Sequence, residues 1–147
     1  MGLLVGLALA APGRAATTTR PVVDRFSGLA ISGFDPVAYF TDHRPLPGSG
    51  DFEAELAGAV WRFRNAGNRA AFLEHPEVYM PRFGGYDPVK LAHGVAVAGN
   101  PDLWVIYDQR LYFFYSADDR EAFADNSERL AASADESWPR IEPQLAE

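Results

Sequence analysis

The chain has 147 residues, 48% hydrophobic and 22% charged, the balance of one globular domain and not of a disordered segment. Its formal charge is −7 with no Lys/Arg cluster, which repels phosphate backbones and excludes nucleic acid as an expected partner. It contains no cysteine, which removes disulfides, thiolate-bound metals and cysteine nucleophiles together.

The first element is an apolar run, Leu3 to Ala11, broken by Pro12-Gly13. Gly13 and Ala15 stand at the −3 and −1 positions of a cleavage after Ala15. A bilayer span needs about 20 apolar residues, so the run is too short to cross one. Residues 1–15 therefore read as a signal peptide, and the mature protein as periplasmic or secreted and not transmembrane. No Lys or Arg precedes the run; either the α-amino group serves alone or the true translation start lies upstream. Cleavage would remove only Arg14 among charged residues, taking −7 to −8. Residues 16–25 read as a linker, 26–141 as the domain and 142–147 as a tail.

The domain contains a duplication. Gly33-Phe34-Asp35-Pro36-Val37 recurs as Gly85-Tyr86-Asp87-Pro88-Val89, 52 residues on. Val60-Trp61-Arg62-Phe63-Arg64-Asn65-Ala66 aligns with Leu111-Tyr112-Phe113-Phe114-Tyr115-Ser116-Ala117, 51 residues on. Arg69, Ala71 and Phe72 continue onto Arg120, Ala122 and Phe123, and one single-residue gap reconciles the offsets. Two copies, about 33–73 and 85–124, predict a pseudo-twofold pair and not a solenoid.

Within each copy, Asp35 and Asp87 precede proline, the pattern of an N-cap followed by the first residue of a short helix. Gly48-Ser49-Gly50 reads as loop. Phe52, Ala54 and Leu56 alternate with Glu53 and Glu55, predicting a half-buried strand, and Gly58 turns the chain into a second strand, Val60 to Phe63. Asn65 and Ser116 cap helices that carry Phe72 and Phe123 toward the core, with Arg69 and Arg120 bridging to nearby carboxylates or carbonyls. In the second copy, Leu103–Tyr107 and Leu111–Tyr115 flank a turn at Asp108-Gln109 and are apolar on both faces. Such a hairpin belongs mid-sheet or under a cover. Leu130, Ala134 and Trp138 fall at helical spacing, and Pro139 is expected to end that helix. The predicted class is α+β: a mainly antiparallel sheet of two β-hairpins with short helices packed on it.

Gly33-Phe34-Asp35-Pro36-Val37-Ala38-Tyr39-Phe40 resembles the opening signature of the bacterial YHS-domain family. Gly58–Phe63, Asn68–Phe72, His75–Pro81, Phe83–Tyr86 and Leu111–Phe113 follow in the order that family shows. The resemblance spans about residue 26 to Trp138. It implies an exported α+β domain suspected of binding metals. Relatives commonly carry cysteine after the Gly-Gly-Tyr motif; here that position is Asp87, so thiolate-bound metal is excluded.

The chemistry-bearing residues are few. His43, His75 and His93 show no His-Glu-x-x-His or comparable metal spacing. His75, before Pro76, reads as a helix-end residue and His43 as a solvated loop residue. His93 is the best histidine ligand candidate, six residues from Asp87 beside the aromatic hairpin. Asp35 and Asp87 read first as paired N-caps, and alternatively as carboxylates that hold a divalent metal or act as an acid/base pair. Ser32, Ser49 and Ser116 lack a nucleophile context. The expectation is a non-catalytic binding module for a small molecule or metal ion, with Asp87, His93 and Asp35 as candidate ligands and the metal unidentified. The alternatives are an interaction domain that offers an aromatic sheet face to a protein partner, and a carboxylate-based hydrolase.

Overall fold

Each copy of the repeat follows one path: an aspartate-anchored helix, a β-hairpin, and a helix laid back across the hairpin. A computed structural model of the protein describes residues 20–146, so the signal-peptide reading of residues 1–15 lies outside the described residues. The first half comprises α1 (Ala38–Thr41), the antiparallel strands β1 (Ser49–Leu56) and β2 (Ala59–Phe63), and α2 (Ala66–Glu74). After α3 (Pro76–Tyr79), the second half repeats the path as α4 (Pro88–Ala92), β3 (Asn100–Tyr107), β4 (Arg110–Phe114) and α5 (Ala117–Asp125). A long helix, α6 (Ser127–Ile141), closes the second half. The class is α+β, with each hairpin a separate two-stranded sheet and not part of one continuous sheet.

The duplication extends to local irregularities. Ser49 pairs with Phe63 and Glu53 with Arg62, so β1 bulges between Ser49 and Glu53. Asn100 pairs with Phe114 and Trp104 with Phe113, the same bulge 51 residues later. The Gly48-Ser49-Gly50 stretch read as loop is therefore partly strand, entering β1 through this bulge. Both hairpin turns have two residues at positive φ, Ala57 (54°) and Gly58 (77°), then Asp108 (48°) and Gln109 (59°), the type I′ geometry that matches strand twist. Gly48 and Gly99 precede the equivalent strands. A Cβ on Gly99 would lie 2.6 Å from the Phe113 side chain, and one on Gly48 would meet the Arg62 backbone.

Two cores result. In the first, Tyr39, Trp61, Phe63 and Phe72 are fully buried, with Phe72 ring centroids 5.0 Å from Trp61 and 5.1 Å from Phe63. In the second, Phe123 lies 4.9 Å from Tyr112 and 5.2 Å from Phe114, under α6 residues Leu130 and Ala134. Each fully buried phenyl contributes about 2–3 kcal/mol relative to an exposed one. Strand β4 serves both cores: Leu111 and Phe113 point into the first, Tyr112 and Phe114 into the second. The doubly apolar hairpin is thus covered on both faces by its own chain.

Pro139 does not end α6. The helix runs through it to Ile141 at the cost of the bond a residue-139 amide would give the Asp135 carbonyl, and Trp138 and Ile141 both pack on the second core. At the chain ends, the Val22 amide donates to the Gly84 carbonyl (2.7 Å) and Val23 bridges Ala30, so residues 22 and 23 are docked on the domain. Glu142–Ala146 form a 3₁₀ turn, with Glu142 buried. No described helix is long and apolar enough to cross a membrane.

Candidate functional site

The two Asp-Pro steps are more than helix starts. Asp35 Oδ1 accepts from the Val37 amide (2.8 Å), while Oδ2 accepts from the Arg64 amide (2.8 Å) and from Asn68 Nδ2 (2.7 Å). The carboxylate is fully buried and ties α1 to the end of β2 and to α2. Asp87 repeats this. Its Oδ1 accepts from the amides of Val89 (2.7 Å) and Lys90 (3.2 Å), and its Oδ2 from the Tyr115 amide (2.7 Å). Each aspartate is a staple across a half, and each half keeps its own.

The halves differ at one equivalent position. Where Asn68 donates to Asp35, the second half carries Asp119, buried as well. Asp119 Oδ2 accepts no hydrogen bond; Lys90 Nζ lies 3.3 Å away, on a side chain 37% exposed. Burial pushes the Asp87 carboxyl up from its ordinary range and the Asp119 charge adds to this, against the pull of its three amide donors.

His93 caps the end of α4. Its side chain is exposed and its Nδ1–H donates to the Val89 carbonyl (2.7 Å), which leaves Nε2 to solvent. His75 is exposed between α2 and α3, with Nδ1 3.2 Å from Glu77 Oε1. Among the described residues no three His, Asp or Glu side chains form a group able to hold a metal ion. Asp87 and Asp35 therefore serve the backbone, and His93 does not converge on them. Arg69 lies over the Phe52 ring (5.9 Å), a cation–π contact in place of the expected bridge.

Sequence reasoning missed a small cavity where the halves meet the docked amino-terminal segment. It holds about 130 Å³. Ile31 and Ser32 come from the turn before α1, Gly85 from the matching turn of the second half, Gly99 from the stretch entering β3, and Phe113 from β4. Val22, Val23 and Asp24 close one side. The Tyr39 hydroxyl donates to the carbonyl of Pro101, another wall residue (2.8 Å), and its ring packs on Phe113 (5.2 Å), which fixes that wall. Asp24 Oδ1 accepts from the amides of Phe26 and Ser27 and from the Ser27 hydroxyl, and these bonds hold its carboxyl below the ordinary range. The rim is thus a standing carboxylate. The paired Val22-Val23 after a polar stretch was the available signal.

Comparison with protein-family models, with curated proteins and with solved structures found no match in any of the three.

Proposed function

We propose that the protein is an exported, non-catalytic binding module of the YHS type that takes a small ligand in the cavity between its halves. The observation that carries this is the cavity itself, whose walls set the apolar side chains of Val22, Ile31 and Phe113 among a larger polar share from Ser32, Asp24 and the backbone. Concave sites where two packed units meet, with convergent polar groups, are where small molecules bind. A cavity of about 150 Å³ accommodates benzene, so the fitting class is a ligand of single-ring size, with a cationic or hydroxyl end toward Asp24. The ordered YHS-like motifs and the apolar amino-terminal run support the family and the export. The saturated, buried carboxylates of Asp35 and Asp87 are poorly placed to meet a substrate, which favours binding over hydrolysis. Metal as the ligand would have to use Asp87, whose oxygens already accept from three amides, and His93, whose Nδ1 is held by the Val89 carbonyl so that only Nε2 is open.

Fragment screening by amide-resolved NMR tests the reading. Single-ring amines should shift the resonances of Val22, Ser32, Gly85 and Gly99 together. Val23→Phe, at the half-exposed mouth, should abolish those shifts while leaving the melting temperature within about 2 °C of wild type. Shifts that map elsewhere, or melting that responds to chelator instead, would overturn it. A protein-interaction role has one observation in its favour: Phe26 is 93% exposed at the tip of the turn pinned by Asp24.

A further inference from the structure

Strand β3 is the free edge of its hairpin. It pairs with β4 on one side, and among the described residues no backbone hydrogen bond reaches residues 103–107 from the other. In a two-residue hairpin the pair that flanks the turn is hydrogen-bonded, and bonded and non-bonded pairs alternate from there. Tyr107 and Val105 therefore bond to β4, while the amides and carbonyls of Trp104 and Ile106 face outward. All the side chains of residues 103–107 are half-buried, and none is charged or proline. The aligned stretch of β1, Phe52-Glu53-Ala54-Glu55-Leu56, places exposed glutamates 51 residues before Trp104 and Ile106. Charge of that kind protects an edge strand from pairing with other chains. The second hairpin has exchanged it for Trp104 and Ile106, whose side chains pack on the first core. What remains on this edge is one carboxylate at each end, Asp102 and Asp108, both exposed.

We propose that the open edge of β3 is a docking site for an extended segment of a partner protein, apolar in its middle and basic at both ends, which adds to the hairpin as a third strand. Strand addition supplies the backbone bonds that Trp104 and Ile106 leave unmade. The half-buried side chains of residues 103–107 offer apolar contact to both faces of the added strand. Charge selects the occupant. Asp102 and Asp108 bracket the apolar run at a separation of about 20 Å along a strand. They match a segment that carries Lys or Arg at the same separation. Arg110, the basic residue nearest to them in sequence, is engaged with the Glu77 carbonyl. A second copy of this strand is the wrong occupant. The antiparallel register that pairs the whole run centres on Val105, with Trp104 of one copy opposite Ile106 of the other. It sets each Asp102 against the other copy's Asp108. Parallel pairing in register sets each aspartate beside its own counterpart. Both arrangements oppose like charges across the strands. The same carboxylates thus admit a basic strand and turn away a copy of their own.

Residues 103–107 do not line the cavity, so this site stands whether or not a small ligand binds there, and neither test bears on the other. The probe is a capped seven-residue peptide of alternating valine and threonine with a lysine at each end. It is titrated into the protein and followed by amide-resolved NMR and hydrogen exchange. The Trp104 and Ile106 amides should shift saturably and exchange more slowly, because their N–H groups gain acceptors. The same peptide with glutamate at its ends should bind about tenfold more weakly. A double variant, Asp102→Asn with Asp108→Asn, should lose that discrimination between the peptides and melt where wild type does. Both positions are exposed, and asparagine tolerates the left-handed conformation of residue 108. Sedimentation should find wild type monomeric at the concentrations used for NMR. Absence of saturable binding at millimolar peptide, shifts that map away from β3, or equal binding of the two peptides to wild type would overturn the proposal. So would a wild type that self-associates with protection of the Trp104 and Ile106 amides, which would make a second copy the occupant.

Discussion

The clearest test of the staple geometry is to replace each buried aspartate by asparagine. An N-cap alone predicts that both changes are nearly neutral, since asparagine caps as well as aspartate. The bonding predicts otherwise at residue 35. An asparagine there has one acceptor oxygen for donors on both sides: Val37 on one, Arg64 and Asn68 on the other. Either orientation turns an NH₂ against a buried N–H. At best one charge-assisted bond is lost and one amide is left unpaired, while the two surviving bonds weaken from charged to neutral. Charge-assisted bonds are worth about 1.5–3 kcal/mol and a stranded buried amide costs about 1–3, so Asp35→Asn should cost about 2–4 kcal/mol. At residue 87 the new NH₂ loses the Tyr115 amide, but the change also removes a charge that burial and the Asp119 carboxylate both disfavour. That relief offsets part of the loss, so Asp87→Asn should cost about 0–2 kcal/mol. At about 4 °C per kcal/mol for a domain of this size, the two variants should melt about 8 °C apart, Asp35→Asn lower. Urea titration with thermal melts at pH 7 reads both. Equal costs, or the reverse order, would refute the bonding argument.

Phe72→Ala and Phe123→Ala should each cost about 3–5 kcal/mol, measured by urea denaturation, because both rings are fully buried in equivalent aromatic sets. Gly99→Ala should destabilise measurably, since its methyl meets Phe113, whereas Gly94→Ala should cost less. Gly94 has positive φ but nothing within 4 Å, so thermal melts should separate crowding from strain. Export predicts that amino-terminal sequencing of protein from a cell fractionation finds a mature chain beginning at Ala16 outside the cytoplasm; an intact Met1 on cytoplasmic protein contradicts it.

Much of the fold was legible because local signals and tertiary roles agree. Alternation of Phe52, Ala54 and Leu56 with glutamates set one buried face, and the mixed apolar strands of the second hairpin announced two. Asn65 and Ser116 cap their helices as read, accepting from the amides of Asn68 (2.8 Å) and Asp119 (3.1 Å). The second role of Asp35 was not legible, since the amide it staples lies 29 residues on and a cap pattern looks only two or three ahead. The Asn68–Asp119 difference was visible in the aligned copies, but its meaning required knowing that Asn68 reaches Asp35. Pro139 misled because the packing of Trp138 and Ile141 on the second core carries the helix through the missing bond. The cavity was hidden by its construction from turns and a docked end, which carry no periodicity.

Strand β4 also constrains how the molecule can go wrong. Its alternate residues belong to different cores, so a one-residue slip against β3 would not merely expose apolar groups. It would deliver Tyr112 and Phe114 to the pocket shaped for Leu111 and Phe113, and the reverse, with aromatic volume wrong in both places at once. The turn at Asp108 and Gln109 and the crowded Gly99–Phe113 contact hold the register at the two ends of the hairpin. The halves should accordingly melt together, in one transition by both heat and urea. Cutting the chain after α2 to free the first repeat would strip its core of Leu111 and Phe113, so an ancestor built from a single copy must have found that wall in a second molecule.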